Sequence, residues 1–163
     1  MMMKLSCDVI ASLKGRTLAT AESCTGGLIG GALTAVPGSS AVFKGGIISY
    51  NNEIKESLLG VSREVLARFG AVSAPVAEAM AIGARNQLRA DVAVSVTGLA
   101  GPDGDEFGNP VGTVFIGYSS ENATFSKKYL FTGDRTAIRT KIVDAALQLI
   151  LNQIRGEHIH EGN

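Results

Sequence analysis

The stretch Asp91-Val92-Ala93-Val94-Ser95-Val96-Thr97-Gly98-Leu99-Ala100-Gly101-Pro102-Asp103-Gly104 decides the fold. Past Asp91, its uncharged valine run suits a strand in the middle of a sheet. It empties straight into a glycine-rich loop. Upstream, Pro75 opens a helix carrying Val76, Met80, Ile82 and Leu88. Downstream, Val111–Tyr118 and Ala123–Phe131 read as strands, separated by Ser119–Asn122 at hairpin spacing. Asp134–Ile154 reads as a closing helix.

Working back to the start, residues 4–14 space Leu5, Val9, Ile10 and Leu13 at helical intervals, and Thr17–Ala21 reads as a short strand. Gly26–Val36 is a second helical stretch stopped by Pro37-Gly38. Gly46–Tyr50 is strand-like, and Glu53–Leu59 and Ser62–Phe69 are short helices ended by Gly60 and Gly70. Strands interleaved with helices, closing on a hairpin, predict a three-layer α/β/α sandwich with a mixed β-sheet. A single domain over residues 1–163 is expected, with 156–163 as a flexible tail.

Composition narrows the function classes. The chain has 163 residues, 45% of them hydrophobic and 18% charged, which excludes a disordered chain and a small stapled scaffold. Fifteen Lys and Arg balance fifteen Asp and Glu, so nothing suggests a nucleic-acid or anionic-membrane coat. Cys7 and Cys24 suit a reducing compartment, and Met-Met-Met-Lys-Leu is no signal peptide; a cytoplasmic location is expected. Thr25–Phe43 is uncharged but too rich in glycine and serine to span a membrane.

In such sheets the strand-to-helix turns gather at one edge, so the turns after strands at Ser23, Tyr50 and Gly98 are expected to share a crevice. In Ala21-Glu22-Ser23-Cys24-Thr25-Gly26-Gly27, a hydroxyl stands where a helix begins. Free N–H groups and the helix dipole there welcome an oxyanion or phosphate. The same residues also read as a plain N-cap, with glycines admitting a close neighbour. A nucleophilic serine needs a base, yet His158 and His160 both lie in the polar end of the chain, so neither a histidine triad nor a histidine metal site is expected. Lys55, shortly after the strand ending at Tyr50, is an alternative base if desolvation lowers its pKa, with Tyr50 to relay or orient the proton. Both residues also read as ordinary surface.

The loop after Thr97 lacks the lysine and spacing of a P-loop and the dinucleotide fingerprint, so ATP and NAD are not expected. Gly98 and Gly101 suit a ligand loop or a simple turn. Arg135 and Arg139 are four apart on one helical face and could meet one phosphate or be solvated.

The segments AESCTGG at 21–27, SYNNEIK at 49–55, GAVS at 70–73, SVTGLAGPDG at 95–104, PVGTV at 110–114 and GDR at 133–135 together resemble the CinA C-terminal domain family over nearly the whole chain. The resemblance implies hydrolysis of the carboxamide of nicotinamide mononucleotide, with Ser23 as nucleophile, Lys55 as base and Tyr50 as a site partner. Thr97 and Arg135 or Arg139 would contact substrate; Thr25, Gly26, Gly27, Gly98 and Gly101 would supply oxyanion or phosphate donors. It implies no metal and no cofactor, a small-molecule nucleotide substrate, a homodimer, and no membrane or direct nucleic-acid partner. The family's long form carries an added N-terminal domain with no counterpart here, so that domain's pyrophosphatase activity is not expected. The loop departs from many relatives at Gly104-Asp105-Glu106. The rival readings are a non-catalytic nucleotide-binding or partner-interaction module on the same fold, and a hydrolase of another amide.

Overall fold

The computed structural model describes the backbone of residues 1–161 and the side chains of residues 1–158. In chain order the elements are α1 (Met2–Ser12), β1 (Leu18–Glu22), α2 (Leu28–Thr34), a 3-10 turn at Ser39–Ala41, β2 (Phe43–Ile48), α3 (Asn52–Leu59), α4 (Arg63–Phe69), α5 (Ala74–Leu88), β3 (Val92–Gly98), β4 (Thr113–Ser120), β5 (Thr124–Leu130) and α6 (Arg135–Glu161). The strands form one sheet in the order β2-β1-β3-β4-β5. β1 pairs in parallel with β2 and β3, and β4 and β5 add antiparallel. The expected α/β/α sandwich with a mixed sheet is the architecture observed.

Alternation along β3 shows why its sequence belongs at the centre. Val92, Val94 and Val96 are fully buried in the cluster built with α1, α2 and α6. Ala93 turns the other way, into the cluster under α4 and α5. Ser95 and Thr97 share that second face and donate to the carbonyls of Ala77 and Ala71. Large residues on one face and small ones on the other let α5 lie close to the sheet. Each buried valine contributes roughly 1.5–3 kcal/mol of transfer free energy.

β1 is the pivot of the winding. From it the chain passes through α2 to β2 on one side, then through α3, α4 and α5 to β3 on the other. The carboxyl ends of β1 and β3 therefore flank a topological switch point, where open α/β sheets place their ligand crevice.

Three local differences from the sequence reading have identifiable causes. β2 begins at Phe43 and ends at Ile48 instead of running from Gly46 to Tyr50. Its ladder with β1 runs from the Leu18–Phe43 pair to the Glu22–Ile48 pair, so β1 sets both of its ends. α2 starts only at Leu28, because Gly26 and Gly27 take φ values of 58° and 103° in the turn before it. Residues 156–161 of the expected tail are the helical continuation of α6, which ends at Glu161; the backbone of residues 162 and 163 and the side chains of 159–163 lie outside the described residues. Glu157 accepts from Arg16 at 3.0 Å and from Tyr118 Oη at 3.3 Å, so the last turns of α6 are tied to the amino end of β1.

Candidate active site

Ser23 is the first residue after β1, and its N–H donates to the Val96 carbonyl at 3.1 Å. That bond welds the residue to β3 at the switch point and leaves the side chain at the sheet edge. Opposite it, α3 is started by Asn51, whose side chain accepts from Ile54 N–H at 3.0 Å. One turn into α3, Lys55 points inward and is 2% exposed. Its Nζ lies 3.0 Å from Ser23 Oγ and donates to the Ser49 carbonyl at 2.7 Å. The Ser49 N–H in turn donates to the Glu22 carbonyl at 2.8 Å, so β1 and the end of β2 jointly fix the pair.

Burial is the dominant influence on that amine and lowers the Lys55 pKa from its usual value to about 8. Taking an ammonium out of water favours the neutral form. Of the described carboxylates none bonds to Lys55; its hydrogen-bond partners are a hydroxyl and a carbonyl. A neutral amine beside a serine hydroxyl is the arrangement a lysine base requires. The neighbouring Cys24 goes the other way: burial pushes its thiol up to about 11. At neutral pH it stays protonated and is no rival nucleophile.

The pair opens onto a cleft of about 390 Å³. One wall is Thr97–Asp103, from the end of β3 into the glycine-rich loop; Tyr50 and Asn52 form a second and Ala71 and Val72 a third, with Arg135 alongside. Thus Ser23, Tyr50 and Gly98, at or just past the carboxyl ends of β1, β2 and β3, do share one cleft. Thr97, Gly98, Gly101 and Arg135 are all at the cleft. The Thr97 hydroxyl donates at 2.7 Å to Ala71, holding the Gly70–Ser73 turn in place. Tyr50 is 63% exposed, and its hydroxyl accepts from Arg135 Nη2 at 3.2 Å. Nη1 of the same guanidinium donates to the Gly101 carbonyl at 2.6 Å. Tyr50 is therefore coupled to the arginine, not to the lysine whose proton it was expected to relay.

Other expected residues are differently occupied. Thr25 is fully buried, and its hydroxyl donates to Glu22 Oε1 at 2.7 Å. Gly26 N–H closes onto the Ser23 carbonyl at 3.1 Å. Gly27 is the N-cap residue of α2, packed 3.3 Å from Ile48 for any added Cβ. None of the three lines the cleft. Arg139 does not either: its Nε donates to the Cys24 carbonyl at 3.0 Å and its Nη2 to the Thr25 carbonyl at 3.2 Å. The two arginines do not converge on one point.

Sequence reasoning passed over Glu22, although it stands within the quoted 21–27 segment. This carboxylate is 2% exposed and accepts four hydrogen bonds: Thr25 Oγ1 and Ile29 N–H on one oxygen, Thr20 Oγ1 and Gly30 N–H on the other. It caps α2 from the preceding strand, a service neither Ser23 nor Thr25 performs. The legible signal was an acid six residues before the first residue of α2, whose N-cap position is a glycine with no side chain to cap it. Glu22→Gln can satisfy only one oxygen's donors and turns an amide toward another N–H. We expect a loss of about 2 kcal/mol in stability, read from urea unfolding.

His158 is on the last turns of α6, next to Glu157 at the opposite edge of the sheet from Ser23. The His160 side chain lies outside the described residues. No described helix is long and apolar enough to cross a membrane.

Fold and cleft together define an α/β protein with a buried lysine amine 3.0 Å from a serine hydroxyl, both lining one cleft at the strand ends. The chain belongs to the CinA C-terminal domain family, whose model matches residues 3–154. It is 45% identical over 155 residues to the Nicotinamide-nucleotide amidohydrolase PncC of Escherichia coli strain K12, covering 93% of this chain and 94% of that protein. It is 51% identical over 141 residues to a CinA-like protein of Geobacter sulfurreducens, covering 86% of this chain and 34% of that protein. The chain thus spans about a third of the length of such longer relatives. The crystal structure of the competence damage-inducible protein A (ComA) from Klebsiella pneumoniae superimposes with a TM-score of 0.92 at 35% identity, over 94% of this chain and 97% of that one.

Proposed function

We propose that this chain is an amidohydrolase that converts nicotinamide mononucleotide to nicotinate mononucleotide and ammonia through an acyl-enzyme at Ser23. The observation that carries the chemistry is the 3.0 Å approach of the buried Lys55 amine to Ser23 Oγ. The substrate class is drawn from the name of the Escherichia coli relative and from the guanidinium at the cleft.

Neutral Lys55 takes the Ser23 proton as Oγ attacks the carboxamide carbon. The resulting oxyanion is met by backbone N–H groups at the cleft wall, Cys24 and Ala100–Gly101 being the candidates. One well-aimed donor is worth about 3 kcal/mol. The C–N bond then breaks, and Lys55 hands its proton to the departing ammonia. Water, deprotonated by the same amine, attacks the ester; the C–O bond to Ser23 breaks as Lys55 returns that proton to Oγ, and the acid leaves as its carboxylate. The Ser49 carbonyl, already accepting from Nζ, steadies the ammonium while it exists. Arg135, braced by Tyr50 and Gly101, takes the phosphate.

The test is ammonia release from nicotinamide mononucleotide by the purified chain; binding without turnover would instead support a non-catalytic nucleotide module. Arg135→Met is expected to raise KM for the nucleotide by about 10- to 100-fold, the value of one charged hydrogen-bonding contact. The phosphate-free riboside should be processed equally by both forms. If the variant lost the same factor on both substrates, the phosphate assignment to Arg135 would be refuted. A homodimer and a cytoplasmic location belong to the same proposal, and sedimentation reads the first.

A further inference from the structure

Arg139 sits behind the nucleophile, and its guanidinium fork is spent on backbone. Nε and Nη2 hold the consecutive carbonyls of Cys24 and Thr25 at 3.0 and 3.2 Å. The guanidinium is in van der Waals range of the turn, 3.5 Å from where a Cβ on Gly26 would stand, and Gly26 has a φ of 58°. On the other side of the same turn, the Thr25 hydroxyl is held by Glu22 at 2.7 Å. The turn that begins at Ser23 is therefore gripped from two directions, by a carboxylate through a side chain and by a guanidinium through two carbonyls.

Peptide planarity carries the consequence toward the cleft. In a trans peptide the C=O and the following N–H point oppositely. With the Cys24 and Thr25 carbonyls turned to α6, the N–H groups of Thr25 and Gly26 are turned away from it. The Gly26 N–H closes the turn on the Ser23 carbonyl at 3.1 Å, which fixes the backbone on which Oγ is mounted. A planar fork suits two adjacent carbonyls; an ammonium is a point charge that cannot span both in the same way.

We propose that Arg139 is a positioning residue for Ser23: through the Cys24–Thr25 backbone it sets the rate of acyl transfer, and it makes no contact with the phosphate of the substrate. The inference rests on the serine acyl-transfer reading above. It separates the two arginines by task, Arg135 to affinity and Arg139 to rate.

The experiment compares wild type, Arg139→Met and Arg139→Lys in the full chain. It uses steady-state turnover of nicotinamide mononucleotide, and phosphonylation of Ser23 by a small fluorophosphonate in the absence of nucleotide. In the second reaction the Ser23 oxygen bonds phosphorus, fluoride leaves, and Lys55 takes the proton. For Arg139→Met we expect kcat to fall about 10- to 100-fold, the cost of misplacing a reacting group by about an ångström. KM should stay within about threefold, and labelling should slow by the same factor as kcat. Arg139→Lys should recover part of both rates. A raised KM with unchanged kcat and labelling would overturn the proposal in favour of substrate contact, and wild-type behaviour throughout would overturn it outright. If Arg139→Met does not fold, Arg139→Lys decides: reduced labelling at an unchanged urea midpoint supports the role, and parity with wild type rejects it. A wild type that is labelled but leaves the nucleotide intact refutes the substrate alone, and labelling still tests Arg139. A wild type that does neither removes the acyl-transfer reading and this inference with it.

Discussion

Ser23→Ala is expected to reduce kcat by roughly 10⁴-fold or more, the scale seen when a covalent nucleophile is removed. KM should be little changed, since the groups assigned to the phosphate are elsewhere in the cleft. The cost to the fold is small, because Ser23 is fixed through its N–H bond to Val96, which alanine retains. The variant should also fail to accumulate a nicotinoyl ester, visible in wild type as a mass increase after an acid quench. Water activated directly by Lys55 is the competing mechanism, and it predicts a different result: removal of the hydroxyl would leave turnover largely intact. Cys24 offers no substitute nucleophile, with its thiol pushed up to about 11 by burial. The split between a collapsed kcat and a preserved KM is therefore the signature to seek.

The elements that could be read ahead of the structure are those whose information is local. The valines of β3 announce a strand buried on both faces, and Pro75 announces a helix start because proline suits the first helical turn. That the ends of β1 and β3 share a cleft was legible for the same reason: small residues and hydroxyls follow apolar runs there. What escaped depends on partners far away in the chain. α6 continues past Ile154 with Glu157 tied to Arg16, 141 residues distant. Lys55 looks like a solvated helix residue until the Ser49 carbonyl and Ser23 close over it. Arg135 and Arg139 share a helix face, yet four residues of rise separate them by about 6 Å along α6. That distance is enough for one to overhang the cleft and the other to fall behind the Cys24 turn. Tyr50 was placed in the right cleft with the wrong hydrogen-bond partner for a relay, since strand periodicity carries no information about which hydroxyl meets which cation.

The pH profile of the wild type should follow the protonation of Lys55. With the Lys55 pKa lowered to about 8 by burial, activity should climb nearly tenfold per pH unit below that value and level off above it, so that at pH 7 about a tenth of the limiting rate remains. The direction follows from the role: the protonated amine cannot accept the Ser23 proton. Lys55→Met, close in length and apolar, should lower kcat by about 10³-fold and abolish the inflection near pH 8. Stability supplies an independent reading of the same group. The folded-state pKa lies below the unfolded value of about 10.4, so between the two the unfolded chain holds a proton that the native chain has released. Stability must then rise with pH across that window, and below about pH 8 the native state carries the cost of a buried ammonium. Urea midpoints measured at about pH 7.5 and about pH 9.5 should differ in wild type, with the greater stability at the higher pH. The part of that difference due to Lys55 should vanish in Lys55→Met. An activity profile flat through neutral pH, with midpoints that respond to pH identically in the two forms, would show that the amine is not the titrating base and that Ser23 draws its reactivity from elsewhere.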